Sequence, residues 1–545
     1  MVARDLATDF ARAVSLHQKG RLGEAAALYG EILCHRSDLI DAHLNLALAL
    51  RGLGRRDDAL KSYERAIACD PDCAEAHFGY GALLQAAGGN YRAIAAYDTA
   101  IRLNPHYAEA WSNRGNALQA VERNEDAVDS YDRAVALNPK YVEAHFNRAH
   151  ALNELGRCED AVAAYDRALH LNPTSAEAWS NRGSVLAQLG RREEALASYR
   201  RGIASDPNHQ GSRRNIFWHN LAEGRDPNLV QRLGADAAAL ITRQMVANLK
   251  AKAAVPDFRV LHDLEQSEYL LAHSGPVDGL DLANRVLSRI RDRAGAMGLT
   301  ALSAEEVAVL GHYRAGSFLP SPDATPGPCL NPDNDWNAIE ETYLAGRPEI
   351  VCIDNFLSPL ALERLRTFCL TSTAWKYEYG NGYLGALADN GFISPLQMQI
   401  MTEIKARMPR VFENYPVTQL WGFKYMSRGA GTGVHADFAR VNLNFWITPD
   451  DANRDPASGG MIVYDVPAPR SWNFREYNGH SQRVYDFLRS QGAGQRKIPY
   501  KCNRAVLFNS NLFHETDRFD FKDGYENHRV NITYLFGQGL KTGNA

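Results

Sequence analysis

Residues 141–174 read YVEAHFNRAHALNELGRCEDAVAAYDRALHLNPT, and the same pattern recurs at a spacing of 34 on either side. Pro71, Pro105, Pro139, Pro173 and Pro207 keep that step, as do Tyr63, Tyr97, Tyr131, Tyr165 and Tyr199, with Tyr29 one period earlier. Ala25, Ala59, Ala93, Ala127, Ala161 and Ala195 share it. Gly20, Gly54, Gly88, Gly156 and Gly190 follow too, with Glu122 the one departure. Such a period marks a stack of small helical units. Each unit reads as two short amphipathic helices. Glycine suits the turn between them, where a positive φ costs it little. Alanine lets the two helices approach closely, and tyrosine is expected to fill the groove against the next unit. Proline ends the second helix. One unit cannot bury its apolar face alone, but a stack can.

Several residue classes on one period resemble the tetratricopeptide-repeat (TPR) family over residues 9–210, as six repeats. The resemblance implies an α-solenoid whose first helices line a concave side. There the chain reads LNLAL, SNRGNAL, FNRAHAL and SNRGSVL, which sets Asn45, Asn113, Asn147 and Asn181 at one phase, with Gly79 breaking the series. In peptide-gripping TPR superhelices, asparagines at a similar phase hold a peptide backbone, a task suited to an amide's donor and acceptor. A protein or peptide partner in the groove is therefore implied. The alternative is that these amides satisfy contacts between helices. Arg114, Arg148 and Arg182 follow three of the asparagines and would add positive charge to the groove or its rim.

The whole chain has 545 residues, enough for about three or four domains. It is 45% apolar and 23% charged, with 60 Lys and Arg against 64 Asp and Glu, a net charge of -4. That balance argues against nucleic acid as a partner. There is no apolar run of about 18 residues, so no membrane span is expected. The start, MVARDLATDFARAV, lacks the apolar stretch of a secretory signal. The eight cysteines include no CxxC pair, which favours reduced thiols. The expectation is a cytoplasmic, multidomain α + β protein; the sequence leaves its oligomeric state open.

Residues 211–320 lose the 34-residue period but keep helical spacing, and read as a capping or connecting region. His262 and His312 are isolated there and read as structural. SPDATPGPCLNPDNDW (321–336) breaks both helix and strand, so 321–344 is expected to be a linker. From 345 the texture changes. EIVCIDNFLS is a strand and turn, PLALERLRTFCLTS a helix capped by Ser358, and ISPLQMQIMTEIKARMPRVFENY a longer helix. The Gly-rich stretch between the two helices, Tyr377 to Phe392, reads as a lid or as a surface loop. Short strands follow (QLWGFKYMS, RVNLNFWITP, GGMIVYDVP, RAVLFNS, RVNITYLFG), which suggests a sandwich or a double-stranded β-helix.

Among those strands, GVHADFARVNLNFW carries the one H-x-D triplet of the chain, His435 and Asp437. In a strand, residues i and i+2 share a face, so the imidazole and the carboxylate can converge on one ion. His514 lies 79 residues on, at the end of a strand, and Arg529 opens the last one. Two His and one carboxylate on one face form the facial triad of non-haem Fe(II) oxygenases. The order H-x-D, long gap, His, then an Arg opening R-x-x-I-T resembles the Fe(II)/2-oxoglutarate-dependent dioxygenases, and most closely their prolyl-hydroxylase-like branch. It covers about 345–540, with Tyr425 ten residues before His435 and SGGMIVYD after the first metal pair. The 15-residue gap from His514 to Arg529 is longer than in close prolyl hydroxylases, and the insert RFDFKDGYEN would be a loop. Arg518 and His528 therefore stay as rivals to Arg529 for the cosubstrate, though the strand context favours Arg529.

The resemblance implies Fe(II) on His435, Asp437 and His514, with 2-oxoglutarate and O2 as cosubstrates and ascorbate as a candidate further cofactor. Arg529 would anchor the far carboxylate of 2-oxoglutarate, with Tyr425 and Thr533 as hydroxyl donors. Asn442, Asn444 and Trp446 share one strand face, and Asn444 is expected to touch cosubstrate or substrate, a structural amide being the alternative. The implied reaction is hydroxylation of a C–H bond with release of succinate and CO2. Retention of Asp437 argues against halogenation. The leading expectation is hydroxylation of a peptide or protein side chain presented by the repeats. The rivals are an oxygenase acting on a small molecule or natural-product intermediate, with the repeats docking a partner enzyme, and a non-catalytic scaffold with a degenerate oxygenase fold.

Overall fold

The computed structural model describes residues 5–224, 226–273, 279–295, 298–315, 322–380, 382–469, 472, 474–478 and 481–537. Parts of the expected connector (274–278, 296–297, 316–320), the start of the expected linker (321), Asn381 in the candidate lid and the last expected oxygenase residues (538–540) lie outside them. The chain divides into two compact units, Met1–Ser212 and Arg213–Ala545. No helix among the described residues is long and apolar enough to cross a membrane.

In the first unit, six helical hairpins follow one another, from Leu6–Gln18 with Leu22–His35 to Ala176–Gln188 with Arg192–Ser205. The periodic alanines are fully buried where the helices cross, and the periodic tyrosines are buried with them. The turn glycines take φ between 73 and 82°, and Glu122 is held in the same left-handed region at φ 63°. The tyrosines pack against the next unit as well as within their own hairpin: a Cβ on Gly79 would stand 2.4 Å from Tyr63 of the preceding hairpin. A Cβ on Gly115 would stand 2.6 Å from Tyr131 of the same hairpin, and one on Gly183 2.5 Å from Tyr199. Tyr131 also donates to Gln119 of its own hairpin, at 2.6 Å. Only a residue without a side chain leaves room for a ring that close.

The period runs one step further than expected. Gly224 stands 34 after Gly190 and has φ 63°, following the helix Gln210–Ala222. The second unit continues with helices Pro227–Lys252, Asp257–His273, Leu280–Arg291 and Ala304–Ala315, and a two-stranded ladder of β1 (Ala254–Pro256) and β2 (Leu299–Ala301). Residues 322–344 are not a linker. Cys329 and Leu330 are fully buried, Glu403 accepts both of their backbone N–H groups at 3.0 Å, and Trp336–Ala345 is a helix capped by Asp335. The proline-rich segment is tied down by the Glu403 carboxylate and by one antiparallel bridge, Leu330 with Leu357.

The remaining strands are β3 (Ile350–Ile353), β4 (Tyr377–Tyr379), β5 (Tyr383–Leu387), β6 (Val417–Tyr425), β7 (Arg428–Gly429), β8 (Val441–Trp446), β9 (Met461–Pro467), β10 (Gln495–Ile498), β11 (Ala505–Asn509), β12 (Leu512–Thr516), β13 (Phe519–Asp520) and β14 (Val530–Phe536). A seven-stranded antiparallel sheet has the order β3-β11-β8-β14-β6-β5-β4; a three-stranded one runs β10-β9-β12; β13 pairs with β7. Tyr377 to Phe392 is thus neither lid nor loop. Its described residues form the hairpin β4–β5 at the sheet edge and a short 3-10 turn, because the aromatic and apolar residues there pair with β6. The long helix expected over 393–415 splits into Pro395–Arg407 and Pro409–Phe412, since Pro409 cannot continue the ladder. RFDFKDGYEN holds β13 and a buried Tyr525 rather than a plain loop.

Alternation along each strand assigns the two faces of the large sheet. Leu443, Phe445, Leu507, Ile532 and Tyr534 join Phe217, Val230, Phe258, Trp375 and Phe392 in one helix-covered core. Trp446, Val506, Phe508 and Tyr425 face the other way and pack with Met461, Val463 and Leu512 of the small sheet. The candidate site lies between the two sheets.

Candidate metal centre

His435 and Asp437 sit in an irregular segment before β8 rather than in a continuous strand. One isolated bridge stands in for the ladder: His435 N–H donates to His514 O at 2.9 Å, and His514 N–H returns the bond at 2.8 Å. Asp437 N–H donates to Ser510 O at 3.2 Å. This local extended pairing preserves the i, i+2 convergence. The ligand atoms of His435, Asp437 and His514 all lie within 4.8 Å of one another, the one such His/Cys/Asp/Glu group among the described residues. His514 Nε2 is 3.4 Å from Asp437 Oδ2, and the imidazole centroids are 4.4 Å apart.

Each imidazole is held from behind. His435 Nδ1–H donates to Gly433 O at 2.8 Å and His514 Nδ1–H to Leu512 O at 3.0 Å. Those bonds select the tautomer that leaves Nε2 with a lone pair, the arrangement seen behind metal-bound histidines. Burial and the neighbouring His514 lower the His435 pKa. Burial pushes the Asp437 carboxyl up, but the adjacent imidazoles, His514 foremost, outweigh it and hold it below its ordinary value. Two imidazoles and a carboxylate, converging in a half-buried recess, have the chemistry to hold a divalent first-row metal.

The recess is narrow, with a cavity volume of about 40 Å³, room for a few water-sized groups around the three ligands. Its lining brings together every residue expected there: Tyr425, His435, Asp437, Asn444, His514, Arg529 and Thr533. Arg529 is 2% exposed. Its Nε donates to Gly459 O at 2.6 Å, and its guanidinium lies 4.8 Å from the Tyr425 ring and 5.8 Å from Trp446. Among the described residues no carboxylate forms an ion pair with it, and burial lowers its pKa. The rivals stand elsewhere: Arg518 is exposed, and His528 Nε2 lies 3.1 Å from Glu265. Asn444 Nδ2 donates to Thr533 Oγ1 at 2.9 Å, while Asn444 Oδ1 and the Trp446 indole nitrogen are buried without a partner.

The sequence reading missed Asn442 as a contact of the metal triad, though it named its strand face. Asn442 Nδ2 donates to Asp437 Oδ2 at 2.7 Å. It also missed Asn531, Trp421 and Phe423, which line the recess. Even spacing would have found them: Asn531 lies between Arg529 and Thr533, and Trp421 and Phe423 lead up to Tyr425.

In the repeats, the four asparagines are half-buried. Asn113 lies beside the hydroxyl of Tyr97 and Asn181 beside that of Tyr165, each in the preceding hairpin. Asn147 Nδ2 donates to Asn116 at 2.9 Å, which in turn accepts from Tyr131. Three of the four therefore join consecutive hairpins. The arginines that follow do not lend free charge to a groove. Arg114 pairs with Asp98 and Arg182 with Asp166, both at 2.6 Å, and Arg148 pairs with Asp132.

Family models of the tetratricopeptide repeat match residues 44–91, 112–176 and 146–209, and a second repeat model matches 89–121. No curated protein matches the chain significantly. Similar solved structures include YrrB, described as a TPR protein with an unusual peptide-binding site (23% identity, 34% of this chain and 95% of that one, TM-score 0.32). They also include PilF of Pseudomonas aeruginosa (17%, 38% and 94%, TM-score 0.35) and TTC0263 of Thermus thermophilus (26%, 33% and 99%, TM-score 0.28). On the repeat models, the hairpins and their period, the N-terminal unit is a tetratricopeptide-repeat solenoid, a scaffold for protein interaction.

Proposed function

We propose that the C-terminal unit is an Fe(II)- and 2-oxoglutarate-dependent oxygenase that hydroxylates a peptide or protein side chain recruited by the repeats. The observation that carries this reading is the convergence of His435, Asp437 and His514 in one recess with the buried Arg529, which has no carboxylate partner among the described residues. The strand order supports it. β6, β8, β11 and β14 share one sheet, β9, β10 and β12 the other, and the His435–His514 bridge joins β12 to the segment after β7. That is the pairing expected of a double-stranded β-helix.

His435, Asp437 and His514 would hold the iron. Bound there, Fe(II) supplies with O2 and 2-oxoglutarate the oxidising power to hydroxylate a C–H bond, the cosubstrate leaving as succinate and CO2. The Nδ1–H bonds to Gly433 and Leu512 keep both imidazoles aimed inward. Arg529, fully desolvated, supplies a cation for the far carboxylate; a bidentate charge-assisted pair recovers what its burial costs. Thr533 and Asn444 offer hydroxyl and amide groups along the path between. Trp421, Phe423 and Trp446 wall the recess and limit water near the reacting atoms.

The test is mass spectrometry of a lysate incubated with the full-length protein, Fe(II), 2-oxoglutarate and isotopically labelled O2. A protein gaining one labelled oxygen with wild type, and not with Asp437→Ala, supports the reading. Succinate release with no modified protein points instead to a small-molecule substrate, and no succinate at all to a non-catalytic scaffold. Arg529→Ala should raise the half-saturating 2-oxoglutarate concentration about tenfold or more, since a hydrogen-bonded charge pair is lost; unchanged saturation would move the anchor elsewhere.

A further inference from the structure

Asn442 lies in a central strand of the large sheet and is 1% exposed. An apolar side chain would be at home there, and a buried amide costs free energy unless its hydrogen bonds are recovered. Asn442 recovers little. Its Nδ2 makes one bond, to Asp437 Oδ2 at 2.7 Å, while its Oδ1 is buried without a partner. The amide thus weakens the strand's packing, and what it does in return is grip one carboxylate.

That carboxylate needs an anchor. Each imidazole of the triad has its rear nitrogen tied to a carbonyl two residues back. Among the described residues Asp437 has no equivalent backbone tie on its side chain; it lies outside any continuous strand and precedes an exposed Phe438. A side chain so placed can rotate toward solvent. We propose that Asn442 is a positioning residue for metal binding: it holds the Asp437 carboxylate turned toward the two imidazoles, as Gly433 and Leu512 hold His435 and His514. Each of the three ligands then has one fixed hydrogen bond, that on Asp437 falling on Oδ2, the oxygen that also faces His514. The amide is retained for metal affinity at the expense of stability. This inference rests on the metal reading of the site.

Mn(II) titration calorimetry of the full-length chain tests it, with the visible spectrum of the Co(II)-loaded protein and thermal unfolding as companion readouts. Asn442→Leu is expected to unfold at the wild-type temperature or above it, to bind Mn(II) about 10- to 100-fold more weakly, and to show an altered Co(II) spectrum. A lower unfolding temperature with unchanged Mn(II) affinity makes Asn442 merely structural and overturns the proposal. So does an unchanged affinity with an unchanged spectrum. Should leucine unseat the strand, Asn442→Val carries the same comparison, since central strands accept valine readily. Wild-type protein that takes up no Mn(II) overturns the metal reading itself, whereas uptake by wild type and Asn442→Leu alike overturns only the role of Asn442.

Discussion

Glu122 and Lys424 show how single residues can stand against their surroundings. Glu122 occupies a turn where five other repeats place glycine, and its backbone is forced to φ 63° all the same. A left-handed conformation costs a residue with a Cβ about 1–2 kcal/mol. Part of that is offset because glycine loses more freedom on folding. Glu122→Gly should therefore stabilise the solenoid by about 1 kcal/mol in urea unfolding; a destabilised variant would mean the glutamate side chain contributes more than the strain. Lys424 is fully buried on the helix-covered side of β6, its Nζ donating to Cys369 O at 3.2 Å and lying 3.8 Å from the Tyr525 ring. Burial lowers its pKa to about 7. The unfolded chain keeps that proton to about pH 10, so between pH 7 and 10 the unfolded state binds more protons and stability rises with pH. Lys424→Met should raise the unfolding temperature at pH 7 and flatten that rise. A variant with the same slope as wild type would place the pH dependence elsewhere.

At the scale of elements, two devices hold the chain together. In the solenoid an ion-pair ladder repeats with the period, Arg114–Asp98, Arg148–Asp132, Arg182–Asp166, and where the arginine is replaced by Tyr80 its hydroxyl donates to Glu64 at 3.1 Å instead. In the second unit, the helix Asp257–His273 docks on the large sheet's side through Arg259 Nη1, which donates to Trp375 O at 2.7 Å, and Gln266, which donates to Ser372 O at 2.9 Å. Asp263, fully buried, is 2.7 Å from Arg259 and 2.9 Å from Arg314. Burial pushes its carboxyl up, and the two guanidinium groups bring it well below the usual range. Removing the shared anion leaves two buried cations with only the more distant Glu378 beside them, 4.0 Å from Arg259 and 3.9 Å from Arg314, so Asp263→Ala should cost about 3 kcal/mol. A loss below about 1 kcal/mol would show that water reaches the triad. None of this was legible beforehand. Asp263, Arg259 and Arg314 lie on two helices, and only the fold brings them together. The ladder's arginines were visible by period, yet their partners stand 16 residues earlier, a spacing fixed by how one hairpin stacks on the next.

For the molecule as a whole, legibility followed periodicity. A 34-residue repeat is a one-dimensional signal, so the solenoid and its turns could be read directly. The triad could be read because H-x-D and a distant His keep their chemistry in any order of strands. The helices over 227–315 could not be assigned to a unit. Their apolar faces say that they are covered, not by what, and the sheet that covers them lies some hundred residues on. Because Phe217, Val230 and Phe258 share a core with Trp375 and Phe392, a fragment of residues 213–545 should be soluble and fold cooperatively, whereas 345–545 should expose that core and aggregate. Cooperative unfolding of 345–545 by circular dichroism would show that the helices are dispensable. Fragment 1–212 should unfold independently, as a unit with its own core.

The most direct measurement is the release of labelled CO2 from 2-oxoglutarate labelled at its first carbon, by the purified full-length protein with and without Fe(II). The account predicts release that needs iron and is lost in His435→Ala, Asp437→Ala and His514→Ala alike. Release that persists in all three variants, or none from wild-type protein supplied with iron, O2 and a reductant, would contradict it.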